Sequence, residues 1–259
     1  MTVHYAIEDH IAVLTLCDPP RRNALSRAIV RDMLAQLARA RHERARGVVV
    51  AAQGKVFCSG ANMDDLRDGW MDGHEEDTDP VRMFQALTEM PVPVIAAVQG
   101  PALGGGFELT MCCDLVVASD AAWFALPELG VGVIPNTAAA LLPPLVGTRQ
   151  ALEIMLARER ITAVQAHALH LVNAIVPAGD ELRSAAAWAA KIAAGTTPSA
   201  VQVARRALRR HHPVDWEAVR RSLHEVDRAE WEEGLSAFTA RRPFDHQKFW
   251  AGTGAAASG

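Results

Sequence analysis

The sequence predicts an α/β fold, a strand-bearing core followed by a helical carboxy-terminal part. Three observations carry this. Residues 2 to 8 and 11 to 17 read as two opening strands joined by the polar turn Glu8-Asp9-His10. Apolar runs at Gly47 to Ala52 and Pro91 to Val98 have the length of buried strands. Beyond Gly147 the apolar spacing becomes mostly helical.

In chain order, Pro19-Pro20 ends the opening strands, and Ser26 can cap a helix continuing to about Ala45. Asp64 to Asp79, rich in Asp, Glu and Gly, reads as a flexible surface loop. The triple glycine Gly104-Gly105-Gly106 leads into a helical segment from Phe107 to Cys113, and shorter strands are predicted at Leu115 to Ala118 and Trp123 to Leu126. Helical segments follow near 148 to 158, 163 to 169, 181 to 194, 199 to 211 and 215 to 240. A change of organisation near Gly195 to Pro198 divides a core of residues 1–195 from a helical region of residues 196–259.

Composition narrows the function classes. With 259 residues, half of them hydrophobic, the chain can bury one large core without disulfides or metals. A formal net charge of −4 makes no broad electrostatic case for nucleic acid, and Arg205-Arg206, Arg209-Arg210 and Arg220-Arg221 read as solvated helix faces. The four cysteines lack a Cys-x-x-Cys spacing, which predicts a reduced, cytosolic protein. No cationic leader and no apolar stretch of membrane-spanning length is evident. No metal is expected: His167 and His170 lack a matching carboxylate, and Leu66 occupies a position where a calcium loop through Asp64, Asp68, Gly69 and Glu75 needs oxygen.

Two glutamates in different settings are the candidate catalytic groups. Glu108 follows the triple glycine, flanked by Phe107, Leu109, Met111, Cys112 and Cys113, so its carboxylate leaves a largely apolar element. Burial raises its pKa and the helix dipole lowers it, a balance suited to acid–base work near neutrality. Taken alone, it could equally stabilise a first helical turn, and the glycines could serve only close helix-to-strand packing. Glu128 follows Pro127 and could be no more than the opening of a short helix. The glycine run also aims unpartnered N–H groups at whatever lies before it, half of an oxyanion hole. A serine hydrolase built on Ser59 is disfavoured for want of a nucleophile elbow.

The combination is more specific. Val98-Gln99-Gly100-Pro101-Ala102-Leu103-Gly104-Gly105-Gly106-Phe107-Glu108-Leu109, with Cys113 to Ala118 after it, resembles the signature of the crotonase (enoyl-CoA hydratase/isomerase) superfamily. So do Arg22 to Ser26, Gly54 to Asn62, Phe124 to Glu128, Val146-Gly147, Ile161 to Ala163, Leu171-Val172 and the ending from Glu233 to Pro243, covering nearly the whole chain. The resemblance implies a spiral of ββα units with a C-terminal helical trimerisation region, assembled as a homotrimer or a dimer of trimers. It implies an oxyanion hole from the N–H groups of Ala61 and Gly105, catalysis by Glu108 and Glu128 sharing the reacting water, and an acyl-CoA thioester substrate. No cofactor is implied, CoA being part of the substrate, and neither nucleic acid nor membrane is an expected partner.

For CoA itself, the resemblance points to Arg22, Ala24 and Leu25 and to Ala61, Asn62, Met63 and Asp64. Arg21, Arg241, Arg242 and Lys248 are further candidates for its phosphates. It also puts the acidic loop near the acyl pocket, where Trp70 and Met71 either form a movable apolar cover or belong to a solvated variable loop. One departure stands out. Where many family members carry a glycine pair and then Leu-Pro-Arg, this chain reads Ile134-Pro135-Asn136-Thr137-Ala138-Ala139-Ala140-Leu141-Leu142-Pro143-Pro144, so Asn136 either caps the next helix or presents an amide to substrate. The expected activity is hydration of an enoyl-CoA. The alternatives are another reaction of the superfamily (double-bond isomerisation, decarboxylation or carbon–carbon cleavage) or a non-catalytic CoA-binding protein.

Overall fold

A computed structural model of the chain describes residues 1–70 and 75–250. Strands β1 (Val3–Glu8) and β2 (Ile11–Leu16) form an antiparallel hairpin, Val3 opposite Leu16. Asp9 and His10 both have positive φ, the geometry of a two-residue turn matched to strand twist. Ser26 accepts the N–H of Ile29 and so caps α1 (Arg27–His42), which returns the chain to β3 (Gly47–Ala52). Helices α2 (Met63–Arg67) and α3 (Pro80–Thr88) precede β4 (Val94–Val98), then β5 (Ala102–Leu103), α4 (Gly105–Met111), β6 (Leu115–Ser119) and β7 (Trp123–Ala125). A 3-10 turn at Glu128–Val131 leads to α5 (Asn136–Val146), α6 (Thr148–Ala157), β8 (Ile161–Thr162), α7 (Ala163–Ala168) and β9 (Ala174–Val176). The remainder is helical: α8 (Glu181–Gly195), α9 (Pro198–Arg210), α10 (Trp216–Ser222), α11 (Arg228–Thr239) and α12 (His246–Trp250).

The main sheet has the order β1-β2-β3-β4-β6-β9, parallel from β2 onward, and a small sheet β5-β7-β8 stands apart. Alternation sorts the strand residues between two layers. Val48, Val50, Val94 and Ala96 join Ile29, Met33 and Leu37 of α1 in one core, while Val49, Ala51, Ile95 and Ala97 face Ala185, Ala189 and Ala193 of α8 in the other. Alanine at every fourth position gives α8 a flat face that approaches the sheet closely.

The structure departs from the sequence expectations in four places. Helix α4 starts at Gly105 rather than Phe107, taking two of the three glycines into its first turn. The expected loop at 64 to 79 opens with α2, because the Asn62 side chain accepts the N–H groups of Asp64 and Asp65. The expected helix from 215 to 240 breaks in two, since Asp227 accepts the N–H groups of Ala229 and Glu230 and starts α11 afresh. Helix α3 was not foreseen, and α5, expected only as a helix that Asn136 could cap, begins at Asn136 itself and contains Pro143 and Pro144, whose missing donors argue locally against helix.

One buried side chain fastens the loops that carry the site. Asn23 is fully buried with φ of 52°, a left-handed conformation that Asn tolerates. Its Oδ1 accepts the N–H of Asp18 at 2.8 Å, and its Nδ2 donates to the carbonyls of Gln53 (2.9 Å) and Val56 (2.8 Å). The Gly54 to Asn62 segment is thereby held against Leu25. Asn23→Ala removes all three bonds, leaving the Val56 carbonyl only the Gln99 Nε2 at 3.3 Å, and is expected to cost about 2 to 3 kcal/mol in urea denaturation. Asn23→Asp should not rescue it, because a carboxylate would face two carbonyls; recovery of wild-type stability by Asp would contradict this account.

Candidate active site

The site is built where two backbone turns meet. Leu25 donates its N–H to the Gly60 carbonyl and accepts the N–H of Asn62, each at 2.7 Å, so Ala61 is held flat against Leu25. The glycine turn approaches from the other side. Gly104 (φ 52°, ψ −126°) adopts a conformation reserved for glycine, and its carbonyl accepts the N–H groups of Phe107 and Glu108 to start α4. A Cβ on Gly106 would collide with the Cys58 carbonyl, so only glycine lets the turns approach this closely. A Cβ placed on Gly105 would lie 3.9 Å from the Ala61 nitrogen, and one on Gly60 would lie 3.5 Å from the Gly105 nitrogen. The two N–H groups therefore neighbour one another, and among the described residues neither has an acceptor.

Both carboxyls border the same glycines. A Cβ on Gly105 would lie 3.8 Å from Glu108 Oε2, and one on Gly104 would collide with Glu128 Oε1. Glu108 is 5 % exposed, and its Oε1 accepts the N–H of Ala138 at 2.8 Å. Burial pushes its pKa well above the usual carboxylate range, opposed by the N–H groups of Ala138 and Thr137 at the start of α5. Glu128 is half-buried, yet its Oε2 is shielded from solvent and has no hydrogen-bond partner among the described residues. Burial raises its pKa first, and the negative charge of Glu108 raises it further. Two such groups titrate as a pair, which holds a proton at pH values where an ordinary carboxyl would have lost it. A carboxylate and a carboxylic acid are then present together, a general base beside a general acid.

The cavity in front of these groups has apolar walls formed by Trp70, Val81, Phe84, Ile134, Leu223 and Phe238. Trp70 is buried in the cavity wall, with its indole N–H on the Thr78 carbonyl of the same loop at 2.9 Å. Met71 lies outside the described residues. Leu25 and Met63 also line the cavity, whereas Ala24 is buried behind it. Asn62 spends its side chain on capping α2, and Asp64 turns outward to Arg67 at 2.9 Å. Arg22 is exposed at the end of the Pro19–Arg21 turn with no ion pair among the described residues, while Arg21 reaches Asp18 and Arg242 binds Glu233. Ser59 lines the cavity. His167 is engaged elsewhere, 2.8 Å from the Val172 carbonyl.

Asn136 is the instructive departure. It is the first residue of α5 and not its cap; its Oδ1 accepts the N–H of Thr137 and its Nδ2 donates to the Val219 carbonyl of α10, both at 2.9 Å. Asn136 lines the cavity, but its amide nitrogen is committed to a carbonyl of the carboxy-terminal helices. The walls from α3, α10 and α11 were missed from the sequence. Asp79-Pro80 is a legible helix start with an apolar stripe at Val81 and Phe84, but nothing in that stripe says which cavity it faces.

Comparison with known proteins agrees with this architecture. The family model described as enoyl-CoA hydratase/isomerase matches residues 6–248. The 2,3-dehydroadipyl-CoA hydratase of Escherichia coli (strain K12) is 34% identical over 245 residues, spanning 92% of this chain and 95% of that relative. An enoyl-CoA hydratase/isomerase from Pseudoalteromonas atlantica T6c superimposes with a TM-score of 0.85 at 27% identity, covering 94% of this chain and 99% of that one. A carnitinyl-CoA hydratase from Mycobacterium avium does so at 0.81 and 30%, covering 93% and 97%. Matched over nearly its whole length in sequence and in fold, the chain belongs to the crotonase, or enoyl-CoA hydratase/isomerase, family.

Proposed function

We propose that the chain is an enoyl-CoA hydratase, adding water across the 2,3-double bond of an enoyl-CoA thioester. The observation that carries this reading is the pairing of two carboxyls, both raised in pKa, beside two N–H groups that have no acceptor among the described residues. The thioester oxygen lies between the N–H groups of Ala61 and Gly105, where each donor is worth about 3 kcal/mol to the enolate. One carboxylate takes a proton from water as its oxygen bonds to the β-carbon. The neighbouring carboxylic acid gives its proton to the α-carbon as the enolate collapses, so the pair ends with as many protons as it began with. Isomerisation, decarboxylation or carbon–carbon cleavage would use the same oxyanion contacts, but the two carboxyls on one cavity suit the two proton transfers of hydration.

The walls bear on the acyl group. Apart from Glu108 and Glu128, no charged side chain lines the cavity among the described residues. Arg220 is engaged by Asp79 and Glu217, Arg67 by Asp64, and Arg27 by Asp65. A second carboxylate at the far end of the acyl chain would be buried without a cation and near two acidic groups, which costs several kcal/mol.

Purified protein incubated with short, branched and cyclic 2-enoyl-CoAs, with products analysed by mass, is expected to add one water; shifted double bonds or lost carbon dioxide would reject hydration. Glu108→Gln and Glu128→Gln should each lower turnover about 10²- to 10⁴-fold with CoA binding retained, and the pH profile should be a bell whose limbs belong to the pair. Hydration of 2,3-dehydroadipyl-CoA should be at least about 100-fold less efficient than that of the uncharged 2-enoyl-CoA of equal length, read as kcat/KM.

The raised pKa of Glu128 also has a stability consequence. Its folded-state pKa lies above the unfolded value, so the folded chain holds the extra proton and loses stability as pH rises through that window. Glu128→Gln removes the loss. The variant should melt near the wild-type temperature at about pH 5 and about 3 °C above it at about pH 8.5; an equal difference at both pH values would contradict the burial of this carboxyl.

A further inference from the structure

The mechanism leaves one buried polar side chain beside Glu108 unused. Asn136 is 7 % exposed and stands where α5 begins, the same end whose N–H groups face the Glu108 carboxylate. Its amide is a bridge with two fixed ends. Nδ2 is held by the Val219 carbonyl of α10, which aims Oδ1 at the N–H of Thr137. Helix α10 is itself anchored on the opposite wall: Arg220 reaches Asp79 at 2.8 Å, and Asp79 caps α3, whose Val81 and Phe84 line the cavity. Asn136 thus sits in a line of contacts running from one cavity wall, through α10, to the backbone donors that meet the candidate base.

We propose that Asn136 is a positioning residue: held by α10, it draws the Thr137 N–H away from the Glu108 carboxylate, leaving Ala138 as its principal donor and keeping Glu108 a stronger base. This rests on the reading of Glu108 as an acid–base group but is testable apart from it. The physical sign is definite. A donor given to the ionised carboxylate stabilises the anion and lowers its proton affinity, and a donor diverted from it has the opposite effect. Both N–H groups act on Glu108 in the lowering direction, so their sharing matters. The charged and titratable groups that act with Glu108 are Glu128, on the 3-10 turn, and Cys112, one turn along α4 with its thiol raised by burial; the first turn of α5 contributes no charged side chain. Neither group changes when Asn136 does.

The decisive measurement is a pH titration of the free protein carrying ¹³C at the glutamate carboxyl carbons, followed by NMR, with the Glu108 signal assigned by its loss in Glu108→Gln. Asn136→Ala returns the Thr137 N–H to Glu108 and should lower its midpoint by about one pH unit, the size of one hydrogen bond to a charged group. Asn136→Gly, which also removes the side chain, should shift it in the same direction and serves if the alanine variant does not fold. If water addition is detected, the acidic limb of kcat/KM should move down with the midpoint. A midpoint that is unchanged or raised in a folded variant overturns the proposal whatever reaction the chain performs; a lowered midpoint with no hydration of any enoyl-CoA upholds it and removes the hydratase reading alone.

Discussion

The close approach of two backbone turns, Cys58 to Ala61 and Gly104 to Gly106, is the constraint on which the rest of the site depends. The Leu103 N–H reaches the Cys58 carbonyl at 2.9 Å, and Cys58 is bridged to Ala102. Gly106 then passes where any side chain would collide with that carbonyl. The consequence is chemical as well as steric. Bringing the turns together sets the N–H groups of Ala61 and Gly105 side by side, and each belongs to a backbone position with no partner of its own: Gly105 because it begins a helix, Ala61 because its neighbours Gly60 and Asn62 make the contacts to Leu25. Donors placed by the backbone are preorganised, since no side-chain rotamer has to be ordered when a charged oxygen arrives.

Against that fixed frame the carboxyls are kept from settling. An ordinary surface glutamate would be ionised and hydrated at neutral pH. Here Glu108 is buried with one strong backbone donor, and Glu128 has one oxygen shielded and, among the described residues, unpartnered within the same cavity. Each makes ionisation of the other harder. The fold bears the cost of this polar pair with two apolar layers, α1 on one face of the sheet and the alanine face of α8 on the other. Residual strain of this kind concentrates at functional sites.

The carboxy-terminal helices do more than extend the core. Leu223 follows α10 into the cavity, Phe238 reaches it from α11, and the Asn136 and Arg220 contacts tie α10 to both walls. Gly234 of α11 packs where a side chain would collide with the Val131 carbonyl, beside the turn that carries Glu128. The helical region after Gly195 therefore completes the wall of the site.

Sequence alone was enough to identify the strands of the main sheet from β1 to β4, the helix behind Ser26 and the family signature around Glu108, because each depends on local periodicity, a cap or a short motif. It also singled out Glu108, Glu128, Ala61 and Gly105, which the structure brings around one cavity. Three matters were decided only in the tertiary structure. Trp70 lies buried in the cavity wall, where a carbonyl eight residues away accepts its indole N–H. Helix α5 runs through Pro143 and Pro144, with its first turn held by Glu108 and α10. The Asn136 amide nitrogen, though the residue lines the cavity, is held by Val219, a partner 83 residues later. Pattern in a sequence records what a segment prefers over a few residues; the environment of a buried polar atom is set by whichever distant backbone group arrives beside it, and that is known only when the chain has closed.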